Sequence, residues 1–313
     1  MNVTKGAVVG LFVIFAVLVS ASRAAQDDTE SRYSPTPPVE YPGGVKSLRD
    51  VTYAEISGFR PLTLDLYLPP ESSSPKPLVV FVHGGAWRHR TARDGGTFRD
   101  FPSVLASVAA RGYVVASVNY RLLGEARFPA AVQDVAMSIR WLRANVGKYG
   151  IDPTRVIAWG SSAGGQIATL VGTACDAPLL LPPSSDGVSA HEVKPGSACV
   201  QGVIDWYGIV DLTSNGADLG RTGSAAQARE SAYLGCEVAK CPTKLLRSAT
   251  ALTYIDERDP PFLIQHGAAD TSVSAKQSQR LHDALRKAGV SSQLILYPNV
   301  DHGFAAVPGG GPD

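Results

Sequence analysis

Hydrophobic positions change their period several times along the chain. VTYAEI (51–56) and LTLDLYLP (62–69) alternate apolar with polar residues, which predicts an antiparallel start with one face buried. LVVFVHGG (78–85), YVVASVNY (113–120), RVIAW (155–159), VQGVIDWYG (200–208), PPFLIQHG (260–267) and SQLILYP (292–298) are instead short, nearly continuous apolar runs. Such runs suit strands covered on both faces. Helical periodicity separates them. FPSVLASVAARG (101–112) reads as a helix stopped by Gly112, and SAKQSQRLHDALRKAG (274–289) as another. The strongest helix is PAAVQDVAMSIRWLRANVGKYG (129–150). Pro129 suits its first turn, Val132, Val135, Ala136, Ile139, Leu142 and Val146 make its apolar stripe, and Gly150 ends it. Strands alternating with helices predict an α/β fold with a mostly parallel central sheet and helices on both faces.

Three stretches interrupt that rhythm. Residues 25–47, including DDTESRYSPTPPVEYPGG, are polar and proline-rich, and a mobile arm is expected there ahead of a catalytic domain over 48–313. Residues 176–198 carry too much proline and serine for a core element. Residues 211–256 have mixed polarity, and a small cap insertion is expected there, because inserted loops at the carboxyl ends of parallel strands commonly carry binding groups.

The first 24 residues read as a leader. Lys5 precedes the apolar run Gly6–Ser20, and Ser22 and Ala24 supply small residues for cleavage after Ala24. The run is short for a membrane span, so an uncleaved anchor is the second reading. A secreted or periplasmic protein follows, with no membrane contact after cleavage. Export makes the four cysteines interpretable. Of three pairings, Cys175–Cys199 with Cys236–Cys241 is favoured, since each brackets a loop-like stretch.

Composition narrows the chemistry. Among 313 residues, 29 basic and 28 acidic side chains leave a net charge of +1, which gives nucleic acid no surface to bind. The one locally basic piece is WRHRTARDGGTFRD (87–100). A solvated loop is the plain reading; a loop at the edge of a site, meeting an anionic substrate group, is the alternative. No phosphate-binding or zinc-ligand spacing occurs, so neither a cofactor nor a metal is expected.

The stretch RVIAWGSSAGGQIATLVG (155–172) carries the central chemistry. A serine hydroxyl attacks well only when it is exposed and a base takes its proton. A sharp strand-to-helix turn exposes it but crowds the backbone, so small residues must flank it. Gly160-Ser161-Ser162-Ala163-Gly164 has that G-x-S-x-G spacing, with Ser162 at its centre and Ser161 off-centre. In VFVHGGAW (80–87), Gly84 and Gly85 follow a strand end and could offer N–H groups to a developing oxyanion, with Ala163 as the partner donor. His83 reads as a residue that ties the loop by a hydrogen bond. Trp87 is the candidate substrate-binding residue, lining an acyl pocket or merely covering the sheet. PPFLIQHGAAD runs into Asp270 and SQLILYPNVDHGF into His302, so carboxylate and base follow the serine in the order this strand arrangement requires. Asp301 is a weaker carboxylate candidate, because adjacent side chains diverge. His89, His191 and His282 fall in loop or helix-surface contexts, and His266 reads as a packing or hydrogen-bonding residue.

HGGAW, VNYRL, the 128–165 block, DPPFLIQHGAAD and DHGF together resemble the α/β-hydrolase superfamily over residues 48–304. The chain is most similar there to secreted and bacterial carboxylesterases with an HGGxW oxyanion loop, including acetyl- and feruloyl-ester hydrolases related to the hormone-sensitive-lipase-like group. The resemblance implies a Ser162–Asp270–His302 triad, an oxyanion hole at Gly84, Gly85 and Ala163, and a structural ion pair between Arg121 and Asp134. It implies a carboxylesterase acting on a small-molecule or polysaccharide-linked ester, with short or aromatic acyl groups and Ser162 as the acylated residue. The alternative is an amide or formamide hydrolase on the same three residues. Two departures stand out. GFAAVPGGGPD after His302 cannot make the family's last helix, and TSVS (271–274) replaces its valine-proline.

Overall fold

The computed structural model describes residues 37–70, 74–175, 177–180 and 197–307. The leader, most of the expected arm, most of 176–198 and His191 lie outside those residues. No described helix is long and apolar enough to cross a membrane.

The strands are β1 (Val39–Tyr41), β2 (Val45–Ala54), β3 (Leu62–Leu68), β4 (Lys76–Val82), β5 (Val114–Val118), β6 (Ile151–Ser161), β7 (Gly202–Trp206), β8 (Phe262–Gly267) and β9 (Ser292–Tyr297). They form one sheet in the order β1-β2-β3-β5-β4-β6-β7-β8-β9. β1, β2 and β3 pair antiparallel, as does β3 with β5; every pair from β5 to β9 is parallel. A short ribbon of β10 (Val300–Asp301) and β11 (Ala305–Ala306) follows.

The sheet begins earlier than composition suggests. The arm expected through residue 47 ends at Val39: Pro42–Gly44 forms a tight turn with Gly43 and Gly44 at positive φ, and β1 folds back on β2 with Val45 and Ser47 fully buried. Proline and glycine, read there as signs of disorder, are turn residues instead.

The period-2 pattern of β4 distributes its side chains. Leu78, Val80 and Val82 join the larger core with α2 (Ala130–Ala144) and α4 (Ala163–Thr173); Val79 and Phe81 join a second core with α1 (Phe101–Ala109) on the opposite face. The long helix expected over 129–150 breaks at Asn145 into α2 and α3 (Val146–Tyr149), and Gly150 caps it in the left-handed conformation.

Inside this core lies the ion pair that the family resemblance implied. Arg121 Nη2 donates to Asp134 Oδ1 at 2.7 Å, Nε to Oδ2 at 2.9 Å, and the Arg121 backbone N–H to Oδ2 at 2.8 Å. Asp134 is fully buried. Removing one partner strands the other charge, so Asp134→Ala is expected to cost about 3–5 kcal/mol in urea unfolding. A change under about 1 kcal/mol would contradict that role.

Disulfides join Cys175 to Cys199 and Cys236 to Cys241, with Cα separations of 4.7 and 5.4 Å. Between β7 and β8 the chain makes α5 (Asn215–Asp218), α6 (Ala228–Leu234) and α7 (Thr243–Ser248); α8 (Ala275–Lys287) then leads into β9.

Candidate active site

Ser162 and Asp270 leave the carboxyl ends of the parallel strands β6 and β8, and His302 follows β9 in the β10–β11 ribbon, so the sheet gathers residues far apart in sequence. Ser162 sits between β6 and α4 with φ 55° and ψ −118°, a conformation that L-residues rarely adopt. Its N–H donates to Trp206 O at 2.8 Å, which ties the turn to β7. The small neighbours are required. A Cβ on Gly160 would run into the Gly164 carbonyl, one on Gly164 into the Val82 carbonyl, and one on Gly165 into Asp205 Oδ1.

His302 reaches the serine from the short turn between β10 and β11. Its Nε2 lies 2.9 Å from Ser162 Oγ and its Nδ1 2.7 Å from Asp270 Oδ2. With the proton on Nδ1 donated to Asp270, Nε2 is free to accept from the serine hydroxyl. Asp270, just past β8, is held on both oxygens: Oδ1 accepts from the N–H groups of Ser272 and Val273, both at 2.8 Å, and Oδ2 also lies 3.2 Å from His266 Nε2. Burial opposes its ionisation, but the hydrogen bonds from His266, His302 and Val273 outweigh it and keep the carboxyl well below the usual range. It is thus an anion, as an imidazole-orienting group must be.

His266 bonds as the sequence suggested, with Nδ1 2.7 Å from Ser278 Oγ. Asp301 points away from the imidazole; its Oδ1 accepts from the N–H groups of Thr271 and His302, both at 2.7 Å, and so pins the two loops together. The TSVS segment has its own brace, because Ser274 N–H donates to Asn215 Oδ1 at 3.0 Å. A proline there would lack that donor. The His302 turn is secured by Thr97 Oγ1 donating to Gly303 O at 2.7 Å and by Phe304 packing against Trp206, Tyr207 and Tyr297.

In the glycine loop, Gly85 has φ 107° and faces the same cavity as Ser162. Gly84 lies so near the elbow that a Cβ would stand 2.9 Å from Ser161 O, and Ala163 opens α4. His83 is buried and donates to Gly84 O at 2.8 Å, and its ring stacks on Tyr120. Burial lowers its pKa to about 4, so the ring is a neutral strut. Trp87 departs from expectation. Its indole is 1% exposed, stacks on Tyr233 at 4.1 Å, donates to Gln166 Oε1 at 3.2 Å, and does not line the cavity. An apolar ring next to a glycine loop finds more burial beneath it than over the site.

The cavity over Ser162 encloses about 410 Å³. Its wall includes Arg88, His89, Arg90, Gly96 and Thr97, so the 87–100 loop edges the site rather than merely facing solvent. Sequence reasoning missed three contributors: Arg229 on α6, Asn215, and Tyr207, whose ring meets His302 edge-on at 4.8 Å. Tyr207 was foreshadowed only by its place directly after β7.

Behind the elbow, Asp205 is wholly buried. Oδ1 accepts from Gly208 N–H at 3.1 Å while Oδ2 has no partner among the described residues. Burial pushes its carboxyl up to about 7, only partly offset by His266 and Gly208. A folded-state value above the unfolded one of about 3.9 means that the group favours folding at low pH and loses that contribution as pH rises from about 4 through 7. Asp205→Asn is therefore expected to flatten this part of the stability–pH curve and to raise Tm above wild type at pH 8 but not at pH 4. Parallel Tm–pH curves in scanning calorimetry would contradict this.

A mainly parallel sheet with helices on both faces, with serine after β6, carboxylate after β8 and histidine after β9, has the architecture of α/β-hydrolase esterases, and this chain has that fold. It belongs to the BD-FAE family, whose model matches residues 64–285. Esterase LipC of Mycobacterium tuberculosis is 29% identical over 243 residues, 76% of this chain and 55% of LipC. The chain thus spans about half the length of the curated relatives it matches. A truncated carbohydrate esterase from gut microbiota superposes with a TM-score of 0.68 at 28% identity, covering 82% of this chain and 89% of that one. A bifunctional GH43-CE protein of Bacteroides eggerthii gives 0.71 at 30% identity, covering 82% and 33% respectively.

Proposed function

We propose that this chain is a secreted serine carboxylesterase that hydrolyses short-chain or aromatic acyl esters through an acyl-enzyme on Ser162. The observation that carries this reading is the unbroken relay from Ser162 Oγ to His302 Nε2, and from Nδ1 to the ionised Asp270, with Ser162 and His302 lining the cavity. His302 takes the Ser162 proton as Oγ attacks the ester carbonyl. The oxygen that gains negative charge is stabilised by the N–H groups of Gly84, Gly85 and Ala163, aided by the N-terminus of α4. His302 then gives its proton to the departing alcohol. Water, activated by the same imidazole, releases the acid and restores Ser162.

The names of the relatives and of the superposable carbohydrate esterases support ester hydrolysis and a carbohydrate-linked ester as substrate. The small cavity supports short acyl groups, with the 211–256 insertion as a cap that contributes Arg229. The leader pattern and two disulfides support export.

A panel tests the substrate class: 4-nitrophenyl esters of increasing acyl length, methyl ferulate, acetylated xylan, a formyl-anilide and a prolyl amide. The short-chain or the feruloyl esters are expected to give the highest kcat/KM. Faster turnover of the anilide or amide would replace this reading with an amidase.

A further inference from the structure

The cavity over Ser162 carries a surplus of positive charge. Arg88 and Arg90 enter it from the loop after Gly85, Arg229 from the first turn of α6, and no aspartate or glutamate lines it. Several arginines elsewhere meet carboxylates, Arg60 with Glu125, Arg93 with Asp65, Arg121 with Asp134 and Arg280 with Asp218, while Arg143 and Arg221 meet backbone carbonyls. Arg88, Arg90 and Arg229 make no side-chain ion pair or hydrogen bond among the described residues. In a protein of net charge +1, three unneutralised guanidiniums at one mouth are a local feature.

Their placement is specific. Arg90 is half-buried, and its backbone sits at φ 82°, a cost that persists only where the surroundings fix it. A Cβ on Gly85 would stand 3.1 Å from Arg90 Cγ, so the side chain starts against the glycine loop beside the reacting carbonyl. The wall also carries the hydroxyl-bearing residues Ser161 and Tyr207, whose side chains face each other.

We propose that the natural ester also carries an ionised carboxylate, bound by Arg88, Arg90 and Arg229. A guanidinium matches a carboxylate with two parallel N–H···O bonds, which fixes orientation as well as charge. Binding that anion places the ester carbonyl over Ser162. The inference rests on the esterase reading for its reaction, but the anion site is testable without turnover.

Two ester pairs report on which side of the ester the charge lies. Mono-4-nitrophenyl glutarate against its methyl ester places it on the acyl side, and 4-acetoxybenzoate against its methyl ester on the alcohol side. In one pair the anion is expected to exceed its neutral partner at least about tenfold in kcat/KM at low salt, with the ratio shrinking as salt screens the exposed arginines. In the Arg88→Gln/Arg90→Gln/Arg229→Gln variant that ratio is expected to fall toward one. Ratios at or below one in both pairs, or an undiminished ratio in the variant, would overturn the proposal. Calorimetry on Ser162→Ala reads the site without chemistry: monomethyl glutarate should bind more tightly than dimethyl glutarate, and equal affinities would also overturn it. Tight monomethyl glutarate binding by a protein that turns over no ester would instead refute the esterase reading and leave the anion site standing.

Discussion

Ser162→Ala is expected to abolish hydrolysis of 4-nitrophenyl acetate, lowering kcat on the order of 10⁴-fold or more, while Tm and near-ultraviolet circular dichroism stay close to wild type. The side chain lost is one hydroxyl that faces the cavity and bonds to His302. The constraints that shape the turn are backbone ones: Ser162 N–H to Trp206 O, and the close approaches at Gly160 and Gly164. Alanine keeps all of them. Ser161 provides the internal control, because it is adjacent yet makes no bond to His302. Fluorophosphonate labelling should disappear with Ser162→Ala and persist in Ser161→Ala. Turnover by Ser162→Ala at the wild-type rate would end the assignment of the nucleophile.

The second large effect is expected at Asp270. In Asp270→Asn the carbonyl oxygen can still accept from Ser272 and Val273, so the loop keeps its shape. The amide then presents N–H where Oδ2 accepted from His302 Nδ1. Two donors cannot share that bond, so the imidazole proton moves to Nε2, which can no longer take the serine proton. A fall of about 10⁴-fold in kcat with little change in Tm is the expected result. Asp301→Asn separates the two neighbouring carboxylates. Its retained oxygen can still receive the N–H groups of Thr271 and His302, and the change in kcat should stay within about tenfold. A loss at Asp301 as large as that at Asp270 would move the orienting role to the wrong residue.

Much of this architecture is written in local patterns. The continuous apolar runs at 78–82 and 156–159 mark strands covered on both faces, because one-sided strands need polar positions on the other side. The elbow is legible because its glycines answer to steric collisions inside a stretch of a few residues. Asp270 and His302 are legible because each terminates an apolar run, and strand ends are where a parallel sheet delivers its side chains.

Other features depended on partners distant in sequence. PGG at 42–44 reads as a breaker until β2 lies alongside β1. Trp87 is ambiguous beside a glycine loop, and its direction is set by Tyr233 and Gln166, about 146 and 79 residues further along. The brace from Asn215 to the Asp270 loop spans 59 residues. TSVS looked like a loss of rigidity because a hydrogen bond from another loop cannot be read from the segment itself.

By itself, then, the sequence determined which segments are strands and helices, where the backbone must turn sharply, and which hydroxyl, carboxylate and imidazole stand at strand ends. These follow from periodicity and local sterics, which act over a few residues. Only the tertiary structure decided that Arg229 joins Arg88 and Arg90 at one cavity, that Trp87 turns inward, and that Asp301 fastens loops while Asp270 meets the histidine. Those outcomes depend on directions and distances between side chains that the chain brings together only when the sheet closes.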